Sequence, residues 1–193
     1  MTRIIAGEAR GRRIKVPETG TRPTSDRARE GLFSSLTMRW GFAGSRVLDL
    51  FAGSGALGLE AASRGADEAV LVERDPQAVR VIRHNMEVVR HPGVSVYEGK
   101  VSTYLAGAPR GHFDMVLADP PYDFTDVDGL IQAIIPVLDD RAIVVIERPV
   151  DAPATAWPAG FTETGQKLKK RVFGIARMDM AVFDRAHLAE VEN

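Results

Sequence analysis

Two stretches of this chain hold residues whose types and spacing suit group-transfer chemistry. In "MVLADPPYDF", residues 115–124, an apolar run ends in Asp119, Pro120, Pro121 and Tyr122. Proline fixes its own φ and confines the preceding residue to extended conformations. The diproline therefore sets the directions of the Asp119 side chain and the Pro120 carbonyl, two acceptors with no competing backbone donor. Two fixed acceptors suit the exocyclic amine of a nucleobase, whose nitrogen lone pair is delocalised into the ring. Accepting both N–H hydrogens localises that lone pair and aims it at an incoming methyl group, with proximity supplying much of the rate. Tyr122 can stack on the base and fix its plane. A paired base cannot enter such a pocket, so the substrate is single-stranded or flipped out.

The second stretch, "LDLFAGSGALGLEA", holds Gly53, Gly55 and Gly58 in G-x-G-x-x-G spacing between a strand and a helix. Glu73 ends the next apolar run twenty residues beyond Gly53, where a carboxylate can accept from ribose hydroxyls. Asp49 argues against a dinucleotide, because its charge would repel a pyrophosphate. It would attract an ammonium and a sulfonium. S-adenosylmethionine carries both on a ribonucleoside and is the expected cofactor.

These residues need a scaffold that brings strand ends together. "RVLDLF", "AVLVE", "VSVYE", "FDMVLA" and "AIVVIE" are apolar, β-branched runs of strand length, and helical patterns separate them. Helices are expected near 25–39, from Ala56 to Gly65, from Pro76 to Arg90, at 101–107 and at 126–138. The tail reads as two strands around Phe173-Gly174. The expected fold is α/β: a Rossmann-like, doubly wound, mostly parallel seven-stranded sheet ending in an antiparallel hairpin. Ahead of it, "RIIAG" and "RRIKV" predict a small β-hairpin extension or flexible arm. The chain divides into a basic N-terminal extension, 1–20, and a catalytic domain, 21–193.

With 45% hydrophobic and 26% charged residues, the composition is that of a soluble globular protein, and the expected location is the cytoplasm. No apolar run reaches a membrane-spanning length. The absence of cysteine excludes disulfides, a thiolate nucleophile and a Cys-based zinc site, and the four histidines lack ligand spacing, so no metal is expected. The net charge of −1 is unevenly distributed: residues 1–30 carry +4 and the rest −5. A basic arm on an acidic body predicts a nucleic-acid partner. Arg3, Arg10, Arg12, Arg13 and Lys15 would neutralise phosphates. Lys167, Lys169, Lys170 and Arg171 extend the same surface.

Four segments taken in order, "RIIAGEARGRRIKVP", "RPTSDRAREGLF", "DLFAGSGALGLEA" and "DPPY", resemble the RsmD family of 16S ribosomal RNA guanine-N2 methyltransferases. The resemblance implies that Asp49, Phe51, Gly53 and Gly55 line the methionine side of S-adenosylmethionine. It places Glu73 on the ribose with Arg74 beside it, and Asp119, Pro120, Pro121 and Tyr122 on the target amine. Lys100 stands where many methyltransferases carry an acid, so adenine would be held through backbone groups of Lys100 and Val101. At least one of Arg27, Arg29 and Glu30 would face the cofactor mouth. The implied substrate is 16S rRNA in a 30S subunit or assembly intermediate, methylated at guanine 966 by a monomer.

Three other readings compete. A DNA adenine-N6 methyltransferase could use the same Asp-Pro-Pro-Tyr, but no insertion offers room for target recognition. A nicotinamide-dependent oxidoreductase could use the glycine loop, against which Asp49 and the diproline argue. A non-catalytic RNA-binding protein on this scaffold would be expected to lack Asp49, Glu73 or Asp119, and all three are present.

Overall fold

The computed structural model describes residues 1–18, 26–165 and 172–187. Two short strands, β1 (Thr2–Arg3) and β2 (Arg13–Ile14), pair antiparallel, and α1 (Asp26–Arg39) follows. The main body alternates β3 (Arg46–Leu50), α2 (Ala56–Ser63), β4 (Glu68–Glu73), α3 (Pro76–Val89), β5 (Val94–Glu98), α4 (Val101–Gly107), β6 (Phe113–Ala118) and α5 (Val127–Ile134). It closes with β7 (Leu138–Pro149), β8 (Phe161–Glu163), β9 (Val172–Phe173) and β10 (Ala176–Phe183).

The main sheet has the order β5-β4-β3-β6-β7-β10-β8, with β9 also paired to β10. Strands β3 to β7 are parallel, and β10 runs antiparallel between β7 and the outer edge. That edge position is shared by β8, opposite 181–183, and β9, opposite 176–177. Seven positions thus hold eight strands, and the β9–β10 hairpin turns at Gly174 as expected from the sequence. β8 carries no apolar pattern that would reveal it, being three residues of edge strand.

Alternation along each strand sends side chains into two cores. Val47, Leu71, Leu117, Val145 and Met178 pack beneath α1, α2 and α3. Leu48, Val72, Val116, Val144 and Phe183 pack on the opposite face with residues of α4 and α5. α3 starts where Asp75 caps the Gln77 N–H (2.9 Å) ahead of Pro76, and ends where Arg90 adopts a left-handed φ of 57°. The helix expected over 126–138 stops at Ile134. Pro136 has no N–H to continue it, the chain passes through a 3-10 turn over Ile135–Val137, and β7 begins at Leu138.

Residues 1–18 do not form a detached arm. Ile4, Ala9 and Ile14 are buried in the same core as α1 and α2. The fully buried Glu60 carboxylate accepts from the Ile5 and Ala6 N–H groups at 2.8 and 3.0 Å and from Arg64 Nε at 2.8 Å. Ser63 Oγ accepts from the Ala9 N–H (2.9 Å) and donates to the Ala6 carbonyl (2.6 Å). Approach is so close that a Cβ on Gly7, at φ 83°, would lie 1.7 Å from the Ser63 carbonyl oxygen. At the other end of β3 from the glycine loop, Arg46 pairs with Asp114 (3.0 Å) and Asp139 (2.7 Å). Among the described residues, no helix is long and apolar enough to cross a membrane.

Candidate active site

The direction of strand order reverses between β3 and β6, where an open α/β sheet forms its ligand crevice. β4 pairs with β3 up to Leu50↔Val72, and β6 pairs with β3 up to Leu50↔Ala118. The Asp119 N–H continues the ladder by donating to the Leu50 carbonyl at 3.3 Å. Asp49, the glycine loop, Glu73 and Asp119 therefore emerge at one edge from three neighbouring strands. The Phe51 and Phe124 rings meet edge-on, centroids 5.5 Å apart, joining the loop after β3 to the loop after β6. A turn closed by the Phe124 N–H on the Pro121 carbonyl (2.8 Å) leaves Tyr122 half exposed, while Pro120 is buried.

Each residue of the glycine loop has a geometric reason. Gly53 and Gly55 adopt φ 57° and 77°, and Phe51 itself sits at φ 60°, uncommon outside glycine. A Cβ on Gly55 would strike Leu71 Cδ2 at 2.6 Å, and one on Gly58 would strike Leu71 Cδ1 at 2.8 Å, so helix and sheet close tightly here. A Cβ on Gly53 would meet nothing within 4 Å. That side of the loop faces open space, as a ligand-bearing side must.

Asp49 is buried beneath α2, and its Oδ2 accepts from the Gly58 N–H at 2.8 Å. Oδ1 is buried with no hydrogen-bond partner. Burial pushes this carboxyl up to about 7; the Gly58 N–H pulls against that rise and the Glu73 charge adds to it. A buried acceptor without a donor costs free energy, and a cationic ligand would relieve it. Glu73 is more occupied. Its Oε2 accepts from the Gly53 N–H (2.8 Å) and its Oε1 from the Arg74 and Asp75 N–H groups (2.8 and 2.9 Å). A carboxylate offers about four acceptor positions, so one remains, on Oε2. Glu73 thus shapes the loop, and it has room for one further hydrogen bond rather than two.

Arg74 is exposed and touches Glu73 through its backbone. Lys100 and Val101 lie at the start of α4, tethered to the site by the Gly99 N–H on the Glu73 carbonyl (2.9 Å). The basic residues of the N-terminal segment divide into two groups. Arg3, Arg10, Arg13 and Lys15 are exposed. Arg12, also exposed, donates from Nη1 to the Val88 and Val89 carbonyls (3.0 and 2.7 Å), capping the end of α3, and lines a cleft of about 510 Å³ with His84, Glu87, Val88 and Arg90. On α1, Arg27 and Glu30 are exposed and Arg29 is buried. Arg29 Nη2 donates to Asp26 (2.8 Å), Thr2 Oγ1 (2.7 Å) and the Arg3 carbonyl (2.9 Å), so it holds the N-terminal segment. Lys167, Lys169, Lys170 and Arg171 lie outside the described residues.

Sequence reasoning passed over Glu60, Asn85 and Phe124. Glu60 interrupts the apolar "ALGLEAAS", and Asn85 falls three residues after Ile82 on the buried stripe of α3. A polar residue at a core position was the available signal for both.

Comparison with known proteins places the chain in a family. Residues 2–179 match the family described as Conserved hypothetical protein 95. The chain is 34% identical over 177 residues to Ribosomal RNA small subunit methyltransferase D of Escherichia coli strain K12, covering 88% of this chain and 86% of that protein. It is 32% identical over 179 residues to the protein of the same name from Haemophilus influenzae, covering 90% and 89%. A solved structure of a hypothetical protein from Thermus thermophilus superposes with a TM-score of 0.75 at 34% identity, covering 95% of this chain and 99% of that one. The cofactor is S-adenosylmethionine, and Asp49 Oδ1 and the open side of Gly53 fit a cationic nucleoside.

Proposed function

The chain belongs to the RsmD family of methyltransferases, and from that premise we propose that it methylates the exocyclic N2 amine of a guanine in 16S ribosomal RNA. The substrate is the 30S subunit or an assembly intermediate, the target is the guanine at position 966, and the enzyme acts as a cytoplasmic monomer. One observation carries the reading: the Asp-Pro-Pro-Tyr segment leaves β6 directly beside the glycine loop of β3, locked there by the Asp119–Leu50 hydrogen bond and the Phe51–Phe124 contact.

When bound, S-adenosylmethionine supplies an electrophilic methyl group on a sulfonium. The protein's part is placement and charge. Asp49 would hold the ammonium of the amino-acid end through its unpartnered Oδ1, Glu73 would hold the ribose through its remaining acceptor, and backbone groups of Lys100 and Val101 would hold the adenine. Phe51, Gly53 and Gly55 line the methionine side, with Arg74 at the rim. Asp119 and the Pro120 carbonyl accept the two N–H hydrogens of the target amine, keeping its lone pair in line with the donor. Pro121 makes that pair rigid, and Tyr122 stacks on the guanine. The proton leaving N2 passes to the Asp119 carboxylate. Exposed Arg3, Arg10, Arg13 and Lys15, with Arg12, grip RNA phosphates from residues 1–20, beside a methyltransferase domain at 21–193.

The test offers the enzyme methyl-labelled cofactor with unmethylated small subunits, free 16S rRNA and DNA, followed by mapping of the labelled base. Label on guanine N2 in small-subunit RNA is expected. Label on DNA adenine, or on no nucleic acid, refutes the assignment.

A further inference from the structure

We propose that Asn85 couples RNA capture by the N-terminal segment to the affinity of the cofactor loop. The side chain is fully buried on α3, and it is not among the residues expected to hold the cofactor or the target amine. Its Oδ1 accepts from the Lys15 N–H at 2.8 Å, and its Nδ2 donates to the Lys15 carbonyl and to the Ser54 carbonyl, both at 2.9 Å. The orientation is determined by its neighbours: a flipped amide would set an NH2 against an N–H and an oxygen against two carbonyls.

The two ends of this bridge matter. Ser54 lies between Gly53 and Gly55, two left-handed glycines of the loop, and the Gly53 N–H is held by Glu73. Lys15 closely follows Arg12 and Arg13, and Arg12 is fastened to the end of the same helix. A continuous run of hydrogen bonds therefore leads from the basic segment through Lys15, Asn85 and the glycine loop to Glu73. Phosphates bound at residues 10–15 restrain that segment further, and through the Lys15 peptide they restrain the Asn85 amide and the Ser54 carbonyl it already holds. Residual motion of the loop is then reduced before the cofactor arrives, and that part of the ordering cost falls on the RNA rather than on the cofactor. By thermodynamic reciprocity, cofactor must raise RNA affinity by the same factor. This inference rests on the RNA-grip reading of residues 1–20.

Equilibrium dialysis of labelled S-adenosylhomocysteine, which cannot turn over, reads the coupling with and without saturating unmethylated small subunits. Wild-type protein should bind it about fivefold or more tightly with subunits present, the lower end of common coupling. In Asn85→Ala that enhancement should vanish while subunits still bind, a result that simple filling of the core does not give. Hydrogen exchange on the wild-type protein gives a second readout, needed if the variant does not fold: subunits should slow exchange at residues 53–55 as well as at 14–16. Subunit binding with no change in cofactor affinity overturns the coupling and leaves the grip intact, and so does an Asn85→Ala protein that keeps the full enhancement. Failure of subunits to bind at all removes the grip and the coupling together.

Discussion

Raising the pH from about 5.5 to 7.5 should tighten S-adenosylmethionine binding by roughly 25-fold, and Asp49→Asn should abolish that dependence. Without ligand, the Asp49 carboxyl titrates at about 7 because it is buried, with one oxygen on the Gly58 N–H and the other without a partner. Holding it ionised there costs about 4 kcal/mol relative to water. The sign follows directly. The folded pKa lies above the unfolded value, so Asp49 withdraws stability as pH rises from about 4, and the loss is complete above about 7. A cationic ligand reverses this by favouring the carboxylate, so binding below pH 7 must release a proton. Each unit of pH below that point then changes affinity up to tenfold, with a plateau above it; over the stated range the linkage amounts to about 25-fold. Isothermal titration calorimetry in two buffers of different ionisation enthalpy measures both quantities. It should find close to one proton released near pH 5.5 and few near pH 7.5. Flat affinity across this range, or proton uptake, would refute the pairing of Asp49 with the ligand cation.

Asp119→Asn should lower the single-turnover rate by at least about a hundredfold while cofactor affinity stays within about twofold; an active variant would remove the carboxylate from the chemistry. Arg10→Ala with Arg13→Ala should reduce the slope of log RNA affinity against log salt by about 1.4 to 1.8, measured by filter binding, and an unchanged slope would show that neither meets a phosphate. Arg12→Ala should in addition lower stability by about 1 kcal/mol in urea melts, because it uncaps α3. Gly7→Ala should cost more than about 2 kcal/mol, since its methyl would overlap the Ser63 carbonyl at a φ that alanine disfavours; stability within about 0.5 kcal/mol of wild type would contradict the close approach.

The central sheet was legible because its strands read as apolar, β-branched runs, and the runs ending at Phe51, Glu73, Glu98 and Ala118 emerged as β3, β4, β5 and β6. The glycine loop and the diproline were legible for a related reason: backbone constraint is written locally, in residue types. What stayed hidden depends on distant partners. Ile4, Ala9 and Ile14 recur with neither strand nor helix period, so only the surface they meet on α1 and α2 reveals them as core. Arg12 has the same charge as Arg10 and Arg13, and nothing in the composition separates a helix cap from a phosphate contact. Asn85 looks like an ordinary polar helical residue until the Lys15 and Ser54 backbones are placed around it.

The seating of residues 4–14 has a consequence during synthesis. These residues leave the ribosome before any of their anchors, since Glu60 follows Ile5 by 55 residues and Asn85 follows Lys15 by 70. Until translation passes Val89, a nascent chain presents their isoleucines and arginines uncovered, available to chaperones and to any polyanion nearby. They are made before their partners and must wait for the middle of the chain before they can be stowed.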